Sequence, residues 1–275
     1  MNEEEPYPVA TTPAVGMPPR ECWRYAGSSR MGTSHQTTGT SCQDGHCVDV
    51  ISDRDGQDVL VAVASDGAGS ASHSHIGSEV LCTTLMEHFR ILIENGANLA
   101  DFQRPDLDEV LTAAVQAIEN RATQEGLATR DLAATCLAAI VSPTVVVAIQ
   151  VGDGAIVIDN GTDHYEPVIW PMRGEFANET VFLYQPSAIP QAEFRVIART
   201  IRDIAVFTDG IQMVALHYES RTAPASFFRP LFNTMALQPP GSSKVLDGAV
   251  GVLLDAPSIL CRTDDDRTLV LGCRR

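Results

Sequence analysis

The sequence predicts an α+β fold rather than a doubly wound parallel sheet. Its predicted elements run in the order strands, two helices, many strands, two helices and a final strand. Because the helices cluster instead of alternating with the strands, this order favours a sandwich of sheets and helices. The apolar fraction of 44% is ordinary for a domain with a packed core, and 275 residues are enough for one large domain or two small ones.

The first 20 residues differ from the rest of the chain. They are rich in proline and acidic residues and show little periodic apolar pattern. We therefore expect a flexible leader over residues 1–20. No other linker is evident, so residues 21–275 are predicted to form a single domain.

The domain is predicted to open with a β-hairpin. Residues 48–51 and 59–64 are rich in β-forming side chains, and an Asp-Arg-Asp-Gly turn at 53–56 separates them. The turn resembles the start of a calcium loop, but the later ligands of such a loop are missing. A plain hairpin turn is therefore the better interpretation.

Two helices are predicted to follow the hairpin. After Ser70, apolar residues recur at helical spacing as far as Leu92, and Ser72 or Ser74 is the expected N-cap. A second apolar stripe predicts a helix over about 106–125.

The second half of the domain is predicted to be mostly strands, followed by two more helices. The predicted strands are 133–141, 144–151, 155–158, 204–207 and 267–272, with further short strands and loops over 163–200 and helices near 224–237 and 242–254.

Charge and cysteine content narrow the class of protein. The formal net charge is −16, from 35 acidic and 19 basic residues, which argues against binding nucleic acid or an anionic membrane. The seven cysteines form no C-x-x-C pair and are predicted to be reduced thiols. There is no apolar run of about 18 residues, and the N-terminus is acidic where a signal peptide is basic. A cytoplasmic protein is expected.

Four short acidic turns stand next to predicted strands, at 65–70, 151–154, 207–210 and 263–266. Three of them place Asp beside Gly at a strand end, where a tight turn directs a carboxylate outward. Carboxylates gathered from distant strands repel one another unless a cation lies between them. Mg²⁺ and Mn²⁺ favour such oxygen ligands. The turns therefore predict a metal-dependent hydrolytic site, although each Asp-Gly alone is also an ordinary turn.

In their order along the chain, these motifs resemble the metal-dependent Ser/Thr protein phosphatases of the type 2C or PPM family, in a divergent bacterial form. The matching segments are Ser-Asp-Gly-Ala-Gly at 65–69, Ala-Thr-Cys at 134–136, Val-Gly-Asp-Gly at 151–154, Thr-Asp-Gly at 208–210 and Asp-Asp-Arg-Thr at 265–268. The segment from Gly32-Thr-Ser-His35 to Cys42-Gln-Asp44 is similar to the N-terminal motif of the family. The resemblance covers roughly residues 22–272.

The resemblance implies a four-layer αββα sandwich of two antiparallel sheets flanked by helix pairs. A site for two Mn²⁺ or Mg²⁺ ions would lie at one end of the sheets. Carried over residue by residue, Asp66 bridges both ions, Gly67 offers its carbonyl, and Asp209 and Asp265 bind the other ion. Asp44 acts through a water, and Asp153 and Asp209 match the residues that hold a third ion in some bacterial relatives.

The resemblance also implies an activity. A water bridging the two ions would attack phosphoserine or phosphothreonine of a protein substrate, with Asp66, Asp209, Asp265 and Asp44 as the catalytic set. The resemblance implies hydrolysis without a covalent phosphoenzyme. A partner Ser/Thr kinase, acting in the opposite direction in signalling, is implied as well.

Several positions depart from the family pattern. No Arg lies between Met31 and Asp53, so Arg30 and His35 are the candidate phosphate-binding residues. The other departures are Ala68 where the family has His, Gln43 where it has Glu, and Asp266 where Asn is usual, with His35, His73 and His75 as candidate proton donors. Two alternatives therefore stay open. In the first alternative, the chain is a weakly active or inactive relative that binds phosphoproteins or a kinase. In the second, it is a metal-stabilised structural domain.

Overall fold

The computed structural model describes residues 21–159, 161–162, 164–171 and 180–275, and all statements below concern these residues. The leader predicted over residues 1–20 lies outside them. The strands are β1 (Trp23–Arg30), β2 (Gly45–Ser52), β3 (Asp58–Ser65), β4 (Cys136–Val141), β5 (Val146–Val151), β6 (Ala155–Asp159), β7 (Tyr165–Ile169), β8 (Glu193–Ile197), β9 (Asp203–Phe207), β10 (Gly241–Ser242) and β11 (Arg267–Arg274). The helices are α1 (Thr33–Thr38), α2 (Ser74–Glu94), α3 (Arg104–Glu125), α4 (Ala188–Gln191), α5 (Gln212–Ala215), α6 (Ala225–Ala236), α7 (Lys244–Leu254) and α8 (Pro257–Leu260), with 3₁₀ turns at Leu99–Asp101, Thr129–Leu132 and Asp209–Ile211.

The strands form two sheets. The first has the order β10-β1-β11-β9-β6-β7 and the second the order β2-β3-β4-β5-β8. Neighbouring strands are antiparallel, apart from the two-residue parallel pairing of β10 with β1. The second sheet is therefore built mainly from consecutive strands, whereas the first joins strands from both ends of the chain. Predominantly antiparallel sheets with clustered helices are those of an α+β sandwich.

Three apolar cores separate four layers. Side chains such as Leu60, Leu137 and Val206 fill the space between the two sheets. Helices α2 and α3 cover the outer face of the second sheet, and α6 and α7 cover the outer face of the first. The four-layer sandwich expected from the sequence is confirmed.

Most predicted elements are present with small shifts at their ends. The predicted hairpin is β2–β3, and its turn is closed by the Asp53 carboxylate, which accepts hydrogen bonds from the backbone N–H groups of Asp55 and Gln57. The N-cap prediction for α2 is wrong, because His73 occupies that position and no side chain caps the helix. Ser72 instead contacts the His73 ring at 2.8 Å.

Two elements near the N-terminus were not predicted. Strand β1 has the sequence WRYAGSSR, whose polar residues break the alternation expected of a strand. It forms because all eight of its residues pair with β11, more than 230 positions away in sequence. Helix α1 has six residues and little apolar pattern. In the described residues, no helix is long and apolar enough to cross a membrane.

The close packing of α2 on the rest of the domain leads to a prediction about two helical glycines. A Cβ on Gly77 would collide with the backbone carbonyl of Leu132, whereas one on Gly248 in α7 would meet no atom within 4 Å. We expect Gly77→Ala to lower the free energy of unfolding by about 1–3 kcal/mol, because backbone must move. Gly248→Ala should raise it by about 0.5–1 kcal/mol, since alanine favours a helix. Urea unfolding of both variants checks the opposite signs, and equal effects would contradict the packing described.

Candidate active site

The acidic turns meet at one end of the sandwich because the strands that carry them begin or end there. In the β2–β3 ladder, Gly45 lies opposite Ser65. The next pair outward in that register is Asp44 and Asp66, so the two carboxylates leave the sheet side by side. Asp44 is buried and Asp66 is half-buried.

Backbone hydrogen bonds fix the position of Asp66. Its N–H donates to the Thr135 hydroxyl at 2.9 Å, and its carbonyl accepts from the Thr135 N–H at 2.8 Å. The following residue, Gly67, forms an isolated antiparallel bridge with Ala134. The Ala-Thr-Cys motif at 134–136 is thus the frame on which the Asp66 turn rests.

The first sheet contributes the turn that follows β9. Thr208 donates its hydroxyl to the Asp44 carboxylate at 2.7 Å and accepts the Thr268 N–H at 3.0 Å. Asp209 comes next in the chain. The hydroxyl of Thr208 therefore ties the two sheets together at the carboxylates.

Asp153, in the turn between β5 and β6, is held by two neighbours. The Thr180 hydroxyl donates to its carboxylate at 2.6 Å. The Gln212 side-chain amide donates to its backbone carbonyl. Residues 172–179, just before Thr180, lie outside the described residues.

The carboxylates of Asp66, Asp153 and Asp209 converge. One oxygen from each lies within 4.8 Å of the others, and these three acids come from turns up to 143 positions apart. Asp265 is close enough for its negative charge to raise the pKa values of all three. The structure thus brings together five of the six residues predicted to bind metal, namely Asp44, Asp66, Asp153, Asp209 and Asp265. The sixth, Gly67, follows Asp66 in the chain.

Burial and mutual repulsion raise the pKa values of this cluster. Burial is the main cause for Asp66, whose pKa lies well above its ordinary range, and the charges of Asp44 and Asp209 add to it. Burial and the charges of Asp153 and Asp265 raise the pKa of Asp209 to about 8. The pKa of Asp44 rises to about 7, mainly through burial. A set of acids this close is stable in its ionised form only with a cation between them.

Unpartnered buried oxygens show that the cluster suits a metal ion. Within the described part of the chain, one carboxylate oxygen each of Asp44, Asp153 and Asp209 is buried without a hydrogen-bond partner, and so is the Gln43 side-chain oxygen. Buried polar atoms normally have partners. The donor set is entirely oxygen, which Mg²⁺ and Mn²⁺ favour over softer ions.

Asp265 and Asp266, neighbours in the fourth acidic turn, have different roles. Asp266 is 1% exposed and accepts the N–H groups of Gly32 at 2.6 Å and Gln43 at 2.5 Å. It also pairs with the His35 ring at 2.9 Å. A Cβ on Gly210 would collide with the carbonyl oxygen of Asp266, so the third and fourth acidic turns interlock. Asp266 is therefore a buried tie between loops, whereas Asp265 contributes its charge to the cluster.

The two candidate phosphate-binding residues are engaged elsewhere in this structure. His35 pairs with Asp266 as described, and Arg30 pairs with Asp255 at 3.1 Å and donates to Ser28 at 2.8 Å. His73 and His75 lie at the start of α2 with ring centroids 6.2 Å apart, and neither belongs to the converging group. A role of Arg30 or His35 in binding phosphate stays a prediction.

Sequence reasoning did not single out the residues that position the acids. Thr135 and Thr208 stood inside quoted motifs, but nothing in a motif shows which hydroxyl reaches which carboxylate. Thr180 and Gln212 carried no signal, because each acts on Asp153 from an unrelated segment.

Comparisons with known proteins agree with this geometry. A family model described as Protein phosphatase 2C matches residues 31–249. The chain is 33% identical over 251 residues to Serine/threonine-protein phosphatase 3 of Escherichia coli (strain K12), covering 91% of this chain and 98% of that protein. Among solved structures, the catalytic domain of the serine/threonine protein phosphatase PstP in complex with two manganese ions has a TM-score of 0.57 at 16% identity, with 93% and 99% of the chains covered. Staphylococcus aureus Stp1 has a TM-score of 0.55 at 15% identity, with 98% of each chain covered.

The family model covers well over half of the chain and includes three of the four acidic turns, those at 65–70, 151–154 and 207–210. Those same turns supply the three converging carboxylates. On this evidence the chain belongs to the protein phosphatase 2C family.

Proposed function

We propose that the protein is a metal-dependent phosphoprotein phosphatase that hydrolyses phosphoserine and phosphothreonine. The observation that carries the proposal is the convergence of the Asp66, Asp153 and Asp209 carboxylates in a half-buried cluster, in which Asp153 and Asp209 each keep a buried oxygen without a hydrogen-bond partner. The similarity to the E. coli Ser/Thr phosphatase supports the same reaction.

Mn²⁺ or Mg²⁺ fits the oxygen donors of this cluster, and the manganese-bound PstP domain supports two ions. Asp66, Asp209, Asp265, Asp153 and the Gly67 carbonyl would hold them, with Asp44 acting through a water. When bound, such ions neutralise phosphoryl oxygens and make water acidic enough to attack at neutral pH.

The chain's own residues do the positioning. Thr135 fixes the Asp66 backbone, Thr208 orients the Asp44 carboxylate, and Thr180 orients that of Asp153. Because these partners are hydroxyls and amides rather than cations, they hold the acids in place without neutralising them. The negative charge is thus kept for the ions, which is what a site of this kind requires.

A phosphorylated protein is the proposed substrate, and a Ser/Thr kinase acting on the same protein is the proposed partner. We also propose a cytoplasmic location. All seven cysteines are free thiols in the described residues, which fits a reducing compartment.

Metal removal tests the proposal against a catalytically silent relative that only binds phosphoproteins. We expect protein stripped with a chelator to show no turnover of a phosphoserine peptide, and added Mn²⁺ or Mg²⁺ to restore it. Because Ala68 and Gln43 depart from the family pattern, we expect turnover slower than that of a phosphatase with the usual His and Glu, but not absent. Phosphate release measured across a metal series gives the result.

Two controls make the outcome decisive. Inorganic phosphate should inhibit competitively, which a purely structural metal site would not produce. Calorimetric titration with Mn²⁺ reports binding independently of turnover. Tight metal binding with no hydrolysis of any phosphopeptide would contradict the proposal and favour the silent relative.

A further inference from the structure

A chain of side-chain contacts joins His46 to the Asp44 carboxylate between the two sheets. Nδ1 of His46, on β2, lies 2.8 Å from the Ser29 hydroxyl on β1. The Ser29 hydroxyl lies 2.7 Å from that of Thr268 on β11. The Thr268 hydroxyl, which is fully buried, is close enough to hydrogen-bond Asp44. His46 is thus linked to the site through two hydroxyl groups.

The direction of one proton in this chain decides how many hydrogen bonds Asp44 accepts. The Thr268 hydroxyl has a single proton and two acceptors within reach, the Ser29 oxygen and the Asp44 carboxylate. Thr208 has no such choice, because its hydroxyl accepts the Thr268 N–H at 3.0 Å and donates to Oδ2 of Asp44 at 2.7 Å. Asp44 therefore accepts one or two hydroxyl protons according to where Thr268 points.

The His46 ring is oriented by the backbone of Gly27. A Cβ on Gly27 would collide with Cδ2 and Nε2 of the ring, so this edge of the ring packs on the main chain. Burial lowers the pKa of His46 and keeps the ring neutral at neutral pH, although the Asp247 charge and a hydrogen bond with the Gly27 backbone raise it. A bond that raises this pKa is one that a ring N–H donates to the Gly27 carbonyl. Because a neutral ring has one N–H, Nε2 carries it and Nδ1 is an acceptor.

The orientation of the ring fixes the hydroxyl protons in turn. Ser29 donates its proton to Nδ1 of His46, so its oxygen is left to accept the proton of Thr268. The Thr268 proton then points away from Asp44. An independent observation agrees, since Oδ1 of Asp44 is buried and has no hydrogen-bond partner in the part of the chain that the structure describes.

We propose that His46 is a positioning residue for Asp44. By accepting the Ser29 proton, it turns the Thr268 hydroxyl away and keeps one Asp44 oxygen available to the water of a bound ion. This rests on the proposed phosphatase function and adds Ser29, His46 and Thr268 to the residues that prepare the site. A hydroxyl that donates to a carboxylate stabilises its charge, which makes that carboxylate a weaker acceptor for water.

His46→Phe and Ser29→Ala test the proposal by freeing the Thr268 proton. Phenylalanine keeps a ring against Gly27 but offers Ser29 no acceptor, and alanine removes the acceptor of Thr268. In both variants the Thr268 proton should turn to Asp44. We expect Mn²⁺ affinity, measured by calorimetric titration, to fall about tenfold, the usual scale for groups that act on a metal ligand.

A second substitution separates this effect from a loss of packing. Thr268→Val keeps the branched shape and the backbone N–H but removes the proton. Added to His46→Phe or to Ser29→Ala, it should restore most of the lost Mn²⁺ affinity. Ser28→Ala is the matched control, because this buried serine on the same strand accepts a hydrogen bond from Arg30 and lies outside the chain of contacts. It should bind Mn²⁺ as the wild-type protein does.

The outcomes distinguish this inference from the function on which it rests. An affinity loss that Thr268→Val does not reverse would overturn the role of His46, since damaged packing would then explain it. Wild-type affinity in His46→Phe and Ser29→Ala would overturn it as well. If His46→Phe does not fold, the Ser29→Ala pair makes the same comparison. The phosphatase function is judged separately, by metal-dependent turnover of a phosphoserine peptide by wild-type protein. Its absence would overturn the function and leave the effect on Mn²⁺ binding in place.

Discussion

Asp66→Asn is expected to abolish metal-dependent phosphatase activity, lowering kcat/KM by about 10³-fold or more. The substitution preserves shape but removes the charge at the centre of the cluster. Asp44, Asp153, Asp209 and Asp265 all act electrostatically on this carboxylate. Loss of a metal-ligand charge costs several kcal/mol of transition-state stabilisation, and each 1.36 kcal/mol is tenfold in rate. Hydrolysis of a phosphoserine peptide with saturating Mn²⁺ provides the measurement.

Asp55→Asn is the matched control for this variant. This substitution removes the same charge from the turn at the exposed tip of the β2–β3 hairpin, at the opposite end of the sandwich. It should retain full activity. Asp66→Asn should also make the metal-free protein more stable at pH 8, because it relieves repulsion, so inactivity cannot be ascribed to misfolding. Undiminished turnover in Asp66→Asn would refute a central role for this residue.

The stability of the metal-free protein should fall as pH rises from about 4 to 8. The folded state raises the pKa of Asp44 to about 7 and that of Asp209 to about 8, and raises those of Asp66 and Asp153, whereas unfolded Asp titrates near 3.9. The folded protein therefore binds more protons in this window, and its stability declines as they are lost. The slope is about 1.4 kcal/mol per pH unit for each titrating group, giving a loss of several kcal/mol.

Bound Mn²⁺ should remove most of this loss, because a cation stabilises the ionised acids that the folded protein otherwise resists. The rise in melting temperature on adding Mn²⁺ should consequently be larger at pH 8 than at pH 5. Urea unfolding at both pH values, with chelator and with Mn²⁺, measures the effect. Asp66→Asn should show a shallower pH slope. A metal-induced stabilisation independent of pH would contradict the repulsion inferred for the cluster.

Much of the fold follows from local pattern, and the exceptions have a physical cause. The helical spacing before Leu92 and the β-rich runs at 48–51 and 59–64 placed α2, β2 and β3, since these elements bury regular apolar faces. Strand β1 escaped because its stability comes from β11 rather than from its own pattern. The N-cap of α2 was predicted wrongly because the helix follows the acidic turn at 65–70 and no side chain caps it.

Sequence patterns predicted which acids form the site but not the hydrogen bonds that hold them in place. Asp-Gly at a strand end identified the acids, because a turn exposes a carboxylate whatever surrounds it. The hydroxyl of Thr208 on Asp44 joins residues 164 positions apart, and no local pattern encodes that contact. Asp266 matched a motif position usually occupied by Asn, yet its role as a buried tie to Gly32 and His35 depends on loops more than 230 residues away.

The close contact between Gly210 and the Asp266 carbonyl leaves no room for a side chain between the turn after β9 and the turn before β11, two neighbouring strands of the first sheet. Enzyme engineering at this site is therefore limited to one kind of change. Side chains such as that of Gln43, whose buried oxygen lacks a hydrogen-bond partner in the described part of the chain, offer a way to retune metal preference, since replacing them leaves the main chain where it is. An inserted or lengthened turn would shift Asp209 and Asp265 together. Loop grafting from a relative is therefore expected to fail here even where single substitutions succeed.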